Sequence, residues 1–233
     1  MNYPKVLSET ETLSLLHQGR SIARYGDGEL KLIHGGNCIS QVKDQKLAKE
    51  LAHILKNPGP CLVAIPNIAA IKTAKDYFWR SYNKSPWIEM YDPQIVYGSA
   101  FVTRPDSAPW IDTPEFWSSV TDLWRGRDVV LVKGSERSLR VDMMPEANLI
   151  IEVPTAYRDA YAEIDSLFAK LKNETRRVLL CCGATATVLA WRLAQVGVHA
   201  LDLGHIGMTM RKAGQYRAAW QASEAPITFP AGS

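Results

Sequence analysis

The stretch from Arg177 to Leu203 constrains the fold more than any other part of the chain. It reads RVLLCC, a glycine, ATATVLAWRLAQV, a second glycine, then VHALDL. An apolar run of strand length, a glycine turn, a segment of helical period and a second apolar run make a strand–helix–strand unit. Two strands joined by a helical crossover lie parallel.

The rest of the chain repeats this alternation. Strand-like runs are expected at Ser21–Tyr25, Cys61–Ile65, Gln94–Val102, Asp128–Lys133 and Asn148–Val153. Ser8 with Glu11 forms a capping-box pattern ahead of Leu13, Leu15 and Leu16. Asp44 caps a segment with Leu47, Leu51, Ile54 and Leu55 on one face, and Asn57-Pro58-Gly59 stops it. Residues 68–80 read as helical, Thr113–Trp124 as a short helix with Pro114 in first position, and Tyr157, Tyr161, Ile164, Leu167, Phe168 and Leu171 as one helical face. The pattern predicts an α/β fold, a mostly parallel Rossmann-like sheet with helices on both faces. With no interior linker rich in Gly, Ser or Pro, residues 1–233 are expected to form a single domain.

Composition sets the class. Hydrophobic residues make up 46% and charged residues 22%, which excludes disorder as the main state. The net charge is only +3, with no concentrated basic stripe, so no nucleic-acid partner is expected. Cys38, Cys61, Cys181 and Cys182 include no CxxC pair, which argues against zinc and for free thiols in a reducing cytoplasm. The longest apolar stretch, Val178–Trp191, is shorter than the roughly 20 residues a spanning helix needs. A soluble cytoplasmic protein is expected, free to work at the inner face of a membrane.

Ligands in open parallel sheets bind beyond the carboxyl ends of the strands. Four expected strands end there in glycine beside a polar group: Gly26-Asp27-Gly28-Glu29, Gly134-Ser135, Gly183-Ala184-Thr185 and Gly204-His205. In RYGDGEL, a tight turn would carry Asp27 and Glu29 two residues apart, either as solvated turn residues or as oxygen ligands for one Mg²⁺ or Mn²⁺. Arg24 can pair with the same phosphates. In CCGATAT, the helix start after Gly183 favours an anion, and Thr185 and Thr187 can add hydroxyls; the alternative is a plain turn with a capping threonine. The pattern is neither GxGxxG nor a P-loop.

Asp202 and His205 close the set. Asp202 stands where a dinucleotide fold would place its ribose-binding acid, and His205 can ligate a metal, bind phosphate or move a proton. Either can also be structural. Arg104, Lys133 and Arg137 are candidate phosphate or acceptor contacts. Of the seven tryptophans, Trp79, Trp87, Trp110, Trp117 and Trp124 cluster mid-chain, fit for core packing or for stacking on a sugar.

Together these segments resemble the GT-D-type glycosyltransferases, first described as a domain of unknown function. The resemblance rests on SIARYGDGELKLIHG with Gln41 downstream, AFVTRP, VVLVKG, VPTAYRDAYAEID and GATATVLAWRLAQVGVHALDLGHI, in order from about residue 20 to 210. It implies a metal-dependent transfer of a hexose from a nucleotide sugar, typically UDP-linked, to a lipid-linked or protein-linked glycan acceptor in bacterial surface polysaccharide or glycoprotein assembly. The family's Asp-X-Glu metal motif maps onto Asp27 and Glu29, with Gly26 in the same turn. Its nucleotide loop maps onto Gly183, Thr185 and Thr187, and its Gly-His-Ile segment onto Gly204, His205 and Ile206. The acids that usually follow Gly-His-Ile are replaced here by Gly207, Met208 and Thr209, and Lys133 stands where an acid is usual. A catalytic base must then come from His205, Asp202 or an acid elsewhere. The competing readings are a non-catalytic nucleotide- or glycan-binding relative and a dinucleotide-dependent oxidoreductase.

Overall fold

The computed structural model describes residues 3–71, 84, 86–105, 107–134 and 138–212. In chain order the elements are α1 (Glu9–His17), β1 (Ile22–Arg24), α2 (Asp27–Ile33), α3 (Gln45–Lys56), β2 (Leu62–Ile65) and β3 (Gly98–Ser99). There follow α4 (Pro114–Thr121), β4 (Asp128–Lys133), β5 (Leu149–Pro154), α5 (Ile164–Leu171), β6 (Arg177–Cys181), α6 (Ala184–Gln195), β7 (Ala200–Asp202) and α7 (Ile206–Lys212).

Local chemistry explains where these elements start. At α1 the Ser8 hydroxyl accepts the Glu11 N–H at 3.2 Å, and the Glu11 carboxylate accepts the Ser8 N–H at 2.8 Å. Asp44 accepts the Leu47 N–H at 2.8 Å to open α3, whose buried face is Leu47, Leu51, Ile54 and Leu55, as the spacing predicts. Thr113 caps α4 with Pro114 in first position. Gly197 ends the α6 region at φ +83°, a conformation a side chain resists.

The seven strands pair in the order β3-β2-β1-β7-β6-β4-β5, every pair parallel. Strands β1, β2, β6 and β7 bury every residue. Side chains alternate across a sheet, so both faces are covered. From β1 the chain steps outward to β2 and β3, while β4 to β7 fill the other half. The order therefore reverses between β1 and β7, the place where open α/β sheets bind ligands.

Three expectations are corrected. The strand at 94–102 shrinks to Gly98–Ser99, because the Ser99 hydroxyl accepts the Phe101 N–H and starts a 3₁₀ turn at Ala100–Thr103. The helix expected from Tyr157 begins only after Asp159, whose φ of 55° redirects the chain into a 3₁₀ turn at Ala160–Glu163. Tyr157 is exposed. Ile68–Ala70 is a 3₁₀ turn, and the remainder of that expected helix lies outside the described residues. Cys61, Cys181 and Cys182 are buried, Cys38 is partly so, and all four are free. No helix among the described residues is long and apolar enough to cross a membrane.

Candidate functional site

The end of β1 does not run into a tight turn. Gly26 opens α2, so Asp27 and Glu29 occupy the first and third helical positions. Residues two apart on a helix point to different sides. Asp27 faces outward, 41% exposed, and pairs with Lys31 at 2.8 Å. Glu29 faces inward, and its Oε2 accepts the Gly26 N–H at 2.7 Å. The side chain is half-buried and borders a cavity. Burial, and secondarily the neighbouring Asp202 carboxylate, push its pKa up to about 7.

Asp202 is 3% exposed at the end of β7. Its Oδ2 accepts the Arg24 N–H at 3.0 Å, and its Oδ1 accepts the Gly204 N–H at 3.1 Å. The Thr187 hydroxyl shares its proton between Oδ2, at 3.1 Å, and the Arg24 carbonyl, at 2.9 Å. Burial raises the Asp202 pKa, opposed by Arg24 and these donors.

The Arg24 guanidinium is buried, bonded to the Thr103 hydroxyl, with its Nε unpartnered. Gly204, at φ +54°, makes room for it: a Cβ there would stand 3.0 Å from Nη1. At the start of α6, Gly183 sits at φ +63°, and a Cβ would stand 2.6 Å from the Ser40 hydroxyl. Ser40 belongs to the loop between α2 and α3. That loop is tied across the sheet to the segment after β5. Asp159 donates its N–H to the Ser40 carbonyl at 2.9 Å, and its Oδ1 accepts the Val42 N–H at 2.7 Å.

These groups enclose a cavity of about 390 Å³ beyond the carboxyl ends of β1, β6 and β7. Arg24, Gly26, Asp27, Glu29, Arg104, Gly183, Asp202, Gly204 and His205 all line it. The remaining expected contacts do not. Lys133 pairs with Glu152 on β5. Thr187 is fully buried in the tie just described. Thr185 is 1% exposed, its hydroxyl buried without a partner. Arg137 and Trp79 lie outside the described residues. Asn37, Cys38, Ile39 and Ser40 also line the cavity, which sequence reasoning missed. No local motif marks them, since only the tertiary tie to Asp159 brings that loop over Gly183.

The donor chemistry bears on the divalent ion that the resemblance implies. A desolvated carboxylate beside a second one carries charge that a hard cation relieves. Among the described residues no group of three or more His, Cys, Asp or Glu side chains is placed to hold a metal. Asp27 and Glu29, both lining the cavity, fit an ion held through one or two carboxylates, the rest of its shell coming from water and substrate oxygens, as Mg²⁺ commonly is.

Comparison with known proteins accords with this geometry. Over 225 residues the chain is 28% identical to "Probable glycosyl transferase Gly" of Streptococcus gordonii, covering 86% of this chain and 32% of that protein. It is 28% identical over 220 residues to the glycosyltransferase GlyD of Streptococcus pneumoniae serotype 4, covering 84% of this chain and 26% of that one. The chain therefore spans about a third or less of these curated relatives. Among solved structures, one described as a highly conserved domain of unknown function 1792 with a distinct glycosyltransferase fold superposes with a TM-score of 0.77 at 29% identity, covering 97% of this chain and 85% of the other. A glycosyltransferase of the same domain type from Streptococcus sanguinis gives 0.76 at 25% identity, covering 97% and 88%. The family model for the glycosyltransferase GT-D fold matches residues 22–212, and the chain belongs to that family of glycosyltransferases.

Proposed function

We propose that the chain transfers a hexose from a nucleotide sugar, UDP-linked, to a glycan acceptor that is lipid- or protein-linked, in bacterial surface polysaccharide or glycoprotein assembly. The observation that carries this reading is the convergence of Arg24, Asp27, Glu29, Arg104, Gly183 and His205 on one cavity at the β1–β7 switch point. Asp27 and Glu29, both lining the cavity, would hold Mn²⁺ or Mg²⁺, with Asp27 exchanging its Lys31 partner for the ion. When bound, that ion neutralises charge on the departing diphosphate. Arg24 and Arg104 bind phosphate oxygens, and the turn at Gly183 lets the diphosphate approach the first N–H groups of α6.

The oxygens of Asp202 are taken up by three donors. Asp202 therefore positions β1 against β7, and the task of taking the acceptor hydroxyl proton falls to His205. Four free thiols suit a reducing compartment, the cytoplasm or the inner face of its membrane. Family membership leaves the dinucleotide-oxidoreductase alternative without support.

The test is a screen of nucleotide sugars for hydrolysis and transfer with and without Mn²⁺. Metal-stimulated turnover is expected, lost in Asp27→Asn and Glu29→Gln. His205→Gln is expected to retain nucleotide affinity and lose transfer. A folded protein that turns over no donor refutes the reading.

A further inference from the structure

A second, larger cavity of about 910 Å³ lies between α1 and α4 and shares no lining residue with the first. Among the described residues its wall carries two carboxylates, Glu9 and Glu115, and no lysine or arginine. The described part of the wall therefore offers phosphates and nucleotides no counter-charge.

The wall has a specific architecture instead. Glu9 is 3% exposed, and its carboxylate accepts from Ser99 Oγ at 2.7 Å, Asn67 Nδ2 at 3.2 Å and Trp110 Nε1 at 3.1 Å. The last bond pins the indole while Trp110 remains 40% exposed. A fixed, half-open aromatic face costs little ordering entropy on binding. Leu13 and Phe116 add apolar surface, and Thr10, Ser14 and Ser119 add hydroxyls. Glu9 and His17, both in the wall, stand eight residues apart on α1, which at the helical rise is about 12 Å. A neutral ligand with apolar C–H faces and many hydroxyls matches this wall. That is the chemistry of an oligosaccharide.

The two cavities share one stretch of chain. Ser99 bonds Glu9 in the second cavity, and Thr103, at the end of the same short turn, bonds Arg24 in the first. Arg104 lines the first and Trp110 the second. From this juxtaposition we infer that the α1–α4 groove is the acceptor subsite, stacking an oligosaccharide on Trp110 while its terminal hydroxyl reaches the donor. The inference rests on the glycosyl-transfer reading above.

The test is saturation-transfer NMR with methyl glycosides of glucose, galactose and N-acetylglucosamine and their β-linked trisaccharides, at millimolar concentration. The wild type is expected to saturate sugar C–H protons, most strongly in a trisaccharide. Trp110→Ala should weaken this about tenfold, the size of a modest hot spot, and Trp110→Phe should largely retain it. Ser14→Arg fills the groove from the exposed surface of α1 without touching the Glu9–Trp110 bond, so it gives the same loss in a protein whose fold is unaltered. Sugar-nucleotide hydrolysis without acceptor, measured in parallel, is expected to be unchanged in all three variants. No saturation by the wild type, or undiminished saturation in Trp110→Ala and Ser14→Arg, overturns the inference. Saturation that stands while hydrolysis is absent overturns the donor reading instead.

Discussion

Asp202 Oδ2 takes the backbone N–H of Arg24 at 3.0 Å just where the β1–β7 ladder, registered at Ile22 and Leu201, has ended. A side chain thus replaces the ladder at the seam where the sheet changes direction, and holds the two strand ends bordering the cavity. In Asp202→Asn one oxygen becomes an amide nitrogen facing a donor. Leaving such a buried group unmatched costs about 1–3 kcal/mol. A lower urea midpoint at unchanged m-value is the expected result; an unaltered midpoint would mean that the seam is held otherwise.

Thr187 belongs to the same tie, though its place in the family pattern suggests a nucleotide contact. Thr187→Val keeps the shape and removes the hydroxyl shared by Arg24 and Asp202. Stability should fall by about 1–2 kcal/mol while UDP affinity, by calorimetry, stays unchanged. A large loss of affinity at unchanged stability would return Thr187 to the nucleotide site.

Gly183 and Gly197 both require positive φ, but only Gly183 has a neighbour against its missing Cβ. Gly197→Ala should cost about 1 kcal/mol of thermal stability and leave the site alone. Gly183→Ala should cost more and also lower nucleotide affinity, because the Ser40 loop must shift. Equal effects of the two substitutions on affinity would deny the loop its place over the cavity.

His199 supplies a pH dependence. Its Nδ1 accepts from Arg177 Nε at 3.1 Å, and its Nε2 lies 3.2 Å from the Arg20 carbonyl. Burial, and then the adjacent Arg177 charge, lower its pKa from 6.5 to about 4. The unfolded chain therefore binds the extra proton first. The stability that comes from keeping this ring neutral is full above pH 6.5 and is lost as the pH falls toward about 4. His199→Gln should flatten the urea midpoint across that window. An identical pH profile in the variant would place the dependence elsewhere.

Much of the scaffold could be read locally. Capping at Ser8 and Asp44, the buried face Leu47–Leu51–Ile54–Leu55 and the strand–helix–strand unit at 177–203 depend on neighbours within a few residues, where periodicity and hydrogen-bond chemistry act. The misreadings fall where a distant residue intervenes. Ser99 bonds Glu9 90 positions away in sequence and ends a strand its own alternation would continue. Asp159 turns left-handed while tied to the loop at 40–42.

The parallel α/β class, the glycine-ended strands and the family are legible in the chain alone, because repeating patterns of hydrophobicity and short motifs encode them without reference to partners. What each polar residue does follows from how the segments pack. Asp27 and Glu29 diverge because α2 starts between them and the strand. Asp202 and Thr187 stitch the seam, Lys133 pairs with Glu152, and Trp110 stands half open on a buried carboxylate. Those roles depend on which groups packing brings within hydrogen-bonding distance, and that is settled by contacts between segments far apart in the chain.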